Sequence, residues 1–315
     1  MRAVLLANRG SSEAVAARLA SMPDIELSIC GKPEDAVSLI KGADALILQQ
    51  SLYPGIVEQA ACASPRLRWI QLLSAGYDSL LDSHLPQGAI VTNAGPSLAP
   101  AVADHALALL LSLTRRIPQA VVSQSRSTWE PQSLRGSVTL EGRTALIVGF
   151  GSIGRAIAIR LRSFGMIVLG VNRGGALRPE ADRIYPLAQL DEALPTADVI
   201  MIALPQSPLT LGLFSRSRLE RCKPGAYLVN VGRGAVVDLA ALVHALTTGR
   251  LAGGGLDVTD PEPLPPDHPA WSTPGLLITP HTGGTGAQNA LADFVARNME
   301  AFLRGRRLEG QIEMA

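Results

Sequence analysis

The sequence predicts an α/β protein built as two doubly wound, parallel-sheet domains, and three observations predict it. Short apolar runs alternate with amphipathic stretches along the whole chain, the punctuation of strands covered by helices on both faces. The pattern begins twice: Arg2-Ala3-Val4-Leu5-Leu6 to Gly10-Ser11 is echoed by Arg143-Thr144-Ala145-Leu146-Ile147 to Gly151-Ser152, each followed by a helix bearing Ala and Arg. A chain of 315 residues is also long for a single core.

Taken in order, residues 4–6 read as a strand and 12–19 as a helix. A second strand at 45–48 gives way to a polar loop and a helical pattern from Pro54, and a strand at 69–73 ends on Ser74, Ala75 and Gly76. Residues 101–116 form a long helix candidate framed by Pro100 and Pro118. The second series then supplies strands at 145–148, 167–171, 199–203, 227–231, 254–256 and 277–279, and 290–303 has helical spacing. Two Gly/Pro-rich segments, 93–100 and 283–286, mark crossings between domains. The first domain is thus expected at 1–98 plus 287–315, and the second at 99–286.

Composition excludes several classes. Lys and Arg number 28 against 27 Asp and Glu, so a net charge of +1 provides no general pull toward nucleic acid or an anionic membrane. Aromatic residues make up 4%, too few to suggest base-stacking platforms. Cys30, Cys62 and Cys222 are odd in number and form no CxxC pair, so neither a disulfide framework nor a metal site is expected. Each reads as a small buried hydrophobe, and a reducing cytoplasm is the expected location. The N-terminal apolar stretch is too short for a signal-peptide core, and the longest apolar run, 106–111, falls short of the roughly 18–20 residues a spanning helix needs. No membrane partner is expected.

The chemistry sits at strand ends. Gly149-Phe150-Gly151-Ser152-Ile153-Gly154 matches GxGxxG, with an apolar strand before it and a helix, 155–164, after it. That context is the Rossmann-like dinucleotide-binding unit, in which missing side chains let backbone approach a pyrophosphate at a helix N-terminus. An acidic residue usually ends the second strand and takes the ribose 2′-OH. This chain has Asn172-Arg173 there. Asn brings no charge to repel a 2′-phosphate and Arg can pair with one, which points to NADP(H) with NAD(H) possible; the alternative is a solvated Arg173 and NAD. Four further polar stations each follow an apolar strand: Leu204-Pro205, Gly232-Arg233-Gly234, Asp257 to Glu262, and Pro280-His281. Carboxyl ends of strands face the ligand crevice in open α/β sheets, so Arg233, Asp257, Glu262 and His281 are expected to converge. Each has a plainer reading: an exposed turn residue, a loop cap, a solvated carboxylate between Pro261 and Pro263, an inert loop histidine. His105 and His244 fall on helical patterns, and His84 and His268 in loops away from strand ends.

These pieces together resemble the D-isomer-specific 2-hydroxyacid dehydrogenase family, glyoxylate/hydroxypyruvate reductases among them. The matching motifs are Val102-Ala103-Asp104-His105, the GFGSIG turn, Ala203-Leu204-Pro205 with Thr210, Lys223-Pro224-Gly225, Asn230 to Gly234, Asp257 to Pro263 and Thr279-Pro280-His281. The resemblance covers nearly the whole chain in order and spacing. It implies two Rossmann-like domains with a cleft between them and, usually, a homodimer. It implies reduction of a small 2-keto acid to a D-2-hydroxy acid, glyoxylate or hydroxypyruvate leading, with His281 as acid or base, Glu262 orienting it and favouring its charged form, and Arg233 holding the substrate carboxylate. Backbone amides at Ser74, Ala75 and Gly76 would bind that carboxylate too, with the substrate's side chain toward Gln49, Gln50, Ser51 and the tail helix. Val102, Thr210, Val231 and Gly283 join the implied cofactor residues, and Asp257 the nicotinamide side. The chain departs from the family pattern in places. Asp104 stands for a usual Glu, and Asn172 for the usual acid. Ala75 replaces the lysine of phosphite-oxidising relatives, and Glu262 the amide of formate-oxidising ones, which argues against both substrates. A nucleotide-sensing co-repressor-like role, or a dehydrogenase for another small acid such as phosphoglycerate, are the alternatives.

Overall fold

The computed structural model describes residues 1–7 and 12–312. The chain divides into two compact units, 1–98 with 285–315 and 99–284. In the first unit the elements run β1 (Arg2–Leu6), α1 (Glu13–Ala20), β2 (Glu26–Cys30), α2 (Pro33–Ile40), β3 (Ala45–Leu48), α3 (Ile56–Cys62), β4 (Trp69–Leu72) and β5 (Ile90–Thr92). The five strands form one sheet in the order β2-β1-β3-β4-β5, every pair parallel. β3 and β4 are buried along their length; β3 reads as an unbroken apolar run, and β4 is interrupted by buried Gln71, whose amide donates to Leu72 O at 2.8 Å.

α4 (Gly95–Thr114) leads into the second unit. It begins six residues before the expected start, because Pro100 lies inside the helix rather than at its first turn. A proline there forfeits one backbone hydrogen bond and marks no boundary. By length and composition α4 is also apolar enough to cross a membrane, which counting only unbroken apolar residues did not anticipate; half of its apolar window is buried in the protein. After α5 (Ile117–Ser125) the second unit continues as β6 (Thr144–Val148), α6 (Ser152–Ser163), β7 (Ile167–Asn172), β8 (Arg183–Pro186), α7 (Leu190–Ala193), β9 (Val199–Ile202), α8 (Arg216–Leu219), β10 (Ala226–Asn230), α9 (Leu239–Thr247), β11 (Leu251–Leu256) and β12 (Leu276–Ile278). Its sheet runs β12-β11-β10-β9-β6-β7-β8, again all parallel. The strand order reverses between β6 and β9, and such switch points are where open α/β sheets bind ligands. Finally α10 (Gln288–Leu303) returns to the first unit and packs on α1, where Arg18 pairs with Asp293 at 3.1 Å.

The doubled opening is visible in hydrogen bonding. Asp44, just before β3, accepts from Arg2 N at 3.0 Å, and Asp198, just before β9, accepts from Thr144 N at 2.9 Å. The structure therefore equates Arg2 with Thr144, one residue off the Arg2–Arg143 register read from the sequence. The Gly10-Ser11 half of the echo lies outside the described residues. Cys30 and Cys222 are buried as expected, but Cys62 is exposed at the end of α3, so it is no core hydrophobe.

Candidate active site

Loops after β6, β9 and β10 meet at the carboxyl edge of the second sheet, and glycines make the approach possible. A Cβ added at Gly149, which has φ +102°, would lie 2.5 Å from Ala203 O, and one at Gly232 2.5 Å from Leu204 O. One at Gly154 would collide with Gly149 O. Gly151 differs: nothing lies within 4 Å of its Cβ position. The turn thus packs tightly on the protein side and stays open where α6 begins. Gly151 caps that helix without a side chain, so its first N–H groups face outward, joined by exposed Ser152 and half-buried Ile153. This open, donor-lined cradle fits a dinucleotide pyrophosphate.

The neighbouring stations are braced. Thr210 is buried; its hydroxyl donates to Pro205 O at 2.7 Å and accepts from Ser207 N at 2.8 Å, which holds the Leu204-Pro205 loop. Val231 and Val102 are buried. Asn172 is tied to its own loop. Its Oδ1 accepts from Gly175 N at 2.6 Å and Ala176 N at 3.1 Å, and its Nδ2 donates to Ala176 O at 2.7 Å. The Asn172 side chain thus builds a turn, and Arg173 lies exposed within that turn.

Arg233 follows β10. Its η1 nitrogen donates to Gly232 O at 2.7 Å, and the residue is half-buried. Asn230, fully buried, shapes this turn: its side chain accepts from Gly232 N at 3.0 Å and donates to Arg233 O at 2.9 Å. Asn230 was not singled out from the sequence, although it begins the motif that carries Arg233. A Cβ on Gly234 would run into Thr259, so the Arg233 loop lies directly against the loop that bears Glu262. Glu262 in turn accepts from Thr259 N through Oε1 at 2.9 Å and meets His281 Nδ1 through Oε2 at 2.9 Å. His281 sits beyond β12 at φ +53°, its N–H bonded to Asp257 O at 2.8 Å. The His281–Glu262 pair borders a cavity of about 360 Å³ that Leu264 and Trp271 also line.

Asp257 lines the same cavity but is held by the loop around it. Its carboxylate is 3% exposed and turned into the protein, accepting from Thr279 Oγ1 at 2.7 Å, Thr282 N at 2.9 Å and Gly283 N at 2.8 Å. It organises the loop that carries His281. The structure joins Arg233, Glu262, Asp257 and His281 through contiguous loops, with Asp257 as their support. Ser74, Ala75 and Gly76 lie in the first unit after β4, where Ser74 Oγ donates to Gly76 O and Asn93 Nδ2 to Ala75 O, each at 2.8 Å.

Comparison with known proteins gives a consistent picture. The model of the D-isomer specific 2-hydroxyacid dehydrogenase NAD binding domain matches residues 107–283. Glyoxylate reductase of Pyrococcus furiosus is 36% identical over 284 residues, 86% of this chain and 83% of that protein. D-3-phosphoglycerate dehydrogenase of Mycobacterium tuberculosis is 33% identical over 312 residues, 96% of this chain but 57% of that longer protein. Among solved structures, a D-isomer specific 2-hydroxyacid dehydrogenase from Xanthobacter autotrophicus Py2, in complex with NADPH and MES, superposes with a TM-score of 0.82 at 25% identity, covering 99% of this chain and 98% of that one.

Proposed function

This chain belongs to the D-isomer specific 2-hydroxyacid dehydrogenase family and is an NAD(P)-dependent oxidoreductase; from that premise we propose that it reduces a small 2-keto acid, glyoxylate or hydroxypyruvate first among them, with His281 as the proton donor. The observation that carries the reading is the His281–Glu262 contact of 2.9 Å on a loop that lies against the Arg233 turn. A bound nicotinamide supplies the hydride. The protein must then deliver a proton to the carbonyl oxygen and hold the carboxylate. Glu262 engages Nδ1, which leaves Nε2 to face the substrate and fixes the ring. Arg233 offers a planar fork matched to a carboxylate and a positive charge that polarises the neighbouring carbonyl. Ser74, Ala75 and Gly76 are our further candidates for that carboxylate, on the strength of the family resemblance. The similarity to glyoxylate reductase supports the choice of a small substrate.

A panel of 2-keto acids tested with NADPH and NADH, followed at the nicotinamide absorbance, decides the reading. Glyoxylate or hydroxypyruvate is expected to give the highest kcat/KM. Preference for phosphohydroxypyruvate would move the assignment to phosphoglycerate oxidation, and no turnover of any 2-keto acid would end it. Arg233→Lys is expected to raise KM for the keto acid and lower kcat, with kcat/KM falling roughly tenfold or more, because an ammonium cannot reproduce two parallel hydrogen bonds. Wild-type kinetics in that variant would place Arg233 outside the site.

A further inference from the structure

Within the second unit, α4 is joined to the loop after β12 by partly buried His105 and Thr279 and buried Asp257. His105 Nε2 lies 2.8 Å from Thr279 Oγ1 and 3.2 Å from Asp257 Oδ1. The Thr279 hydroxyl donates its single proton to Asp257 at 2.7 Å. The contact between Thr279 and His105 is therefore one in which Nε2–H donates, and the same N–H faces the carboxylate. A carboxylate only 3% exposed needs such donors. Asp257 receives the Thr279 hydroxyl and the Thr282 and Gly283 amides, and the His105 imidazole, bonded to Thr279, lies 3.2 Å from it.

We propose that His105 is a positioning residue: through Asp257 it locks the 279–283 loop and so fixes His281, an inference that rests on reading His281 as the proton donor. His281 occupies the left-handed region at φ +53°. A non-glycine residue stays there only where its surroundings over-determine it. Two bonds do so directly, His281 N to Asp257 O at 2.8 Å and to Thr279 O at 3.0 Å. Both partners belong to the cluster that His105 closes. The loop has no slack on that side, because a Cβ at Gly283 would lie 2.8 Å from Asp257 Oδ2 and 3.6 Å from His105 Cδ2. Without the imidazole donor, the buried carboxylate turns toward other donors and releases the amides it holds.

The test compares His105→Leu, which removes the donor, with His105→Gln, whose amide N–H reaches the position of Nε2. Amide exchange on the free full-length protein is expected to be at least about tenfold faster at Thr282 and Gly283 in the Leu variant and near wild type in the Gln variant. For keto-acid reduction, kcat is expected to fall about tenfold or more with Leu, with KM for NADPH little changed, and to recover with Gln. Unchanged exchange with Leu overturns the proposal, as does a Gln variant as impaired as Leu, or faster exchange with kcat unaltered. If wild type reduces no 2-keto acid, the acid–base role falls, while the exchange measurements still decide whether His105 holds the loop.

Discussion

His281→Ala is expected to lower kcat for 2-keto acid reduction by about 10²–10⁴-fold, the contribution typical of a positioned general acid. Dinucleotide affinity is expected to stay largely intact, because the cradle at Gly149, Gly151 and Gly154 lies in a different loop. The fold is expected to survive as well. The imidazole side chain is about half exposed, at 52%, so its loss empties no core volume. Its side-chain hydrogen bond is to Glu262, itself 39% exposed, and a polar contact this open contributes little to stability. The backbone bonds from His281 N to Asp257 O and Thr279 O do not depend on the side chain. The variant thus separates chemistry from folding and binding. Steady-state kinetics with saturating cofactor, alongside a cofactor titration by fluorescence, is the measurement. A variant that keeps more than a tenth of wild-type kcat shows that the proton comes from elsewhere.

The parts of the molecule that could be read from sequence share a physical property. β3 and β9 are buried along their whole length and apolar without interruption, and β4 and β6 are nearly so, with Gln71 and Thr144 as their polar residues, so all four stand out in any window. β2, at a sheet edge with a half-exposed pattern, has no such run, and β5 is only three residues long. β8 ends on Pro186, a residue that argues against a strand except at an edge, which is where it lies. In the site, a residue's place at a strand end was legible and its side chain's direction was not. Asp257 and His281 both follow strands, but one points into the protein and the other to its surface, a difference made by Thr279, Thr282 and Gly283. His105 and Asn230 were passed over for a related reason. Their roles arise from partners far away in the chain or from a turn's own geometry, and nothing in their local pattern announces it.

The wild type is expected to favour NADPH over NADH by about ten- to a hundredfold in kcat/KM, and Asn172→Asp to reverse or abolish that preference. The preference is proposed from charge. Arg173 is exposed directly after β7 and is followed by Gly174 and by Gly175 at φ +75°. The acid farther along the same connection does not neutralise it, since Glu180 is held by Arg155 at 2.6 and 2.9 Å. That hydrogen bonding keeps the Glu180 carboxyl ionised, below its usual range. A charge-assisted contact between Arg173 and a 2′-phosphate is worth roughly 1.5–3 kcal/mol, and about 1.4 kcal/mol is a factor of ten. Asn172 contributes by what it lacks and by the turn it builds. Its two acceptor bonds to Gly175 and Ala176 would survive in an aspartate, but the donor to Ala176 O at 2.7 Å would become an acceptor facing an acceptor. The substitution therefore adds a negative charge beside the phosphate position and loosens the turn that presents Arg173. Both effects oppose NADPH, and the new carboxylate can accept from ribose hydroxyls of NADH. The measurement is kcat/KM for the two cofactors on both proteins, with Arg173→Ala as the control for charge. A wild type that favours NADH would leave Arg173 a surface residue. An Asn172→Asp protein that keeps the full NADPH preference would show that the 2′-phosphate is recognised from another loop.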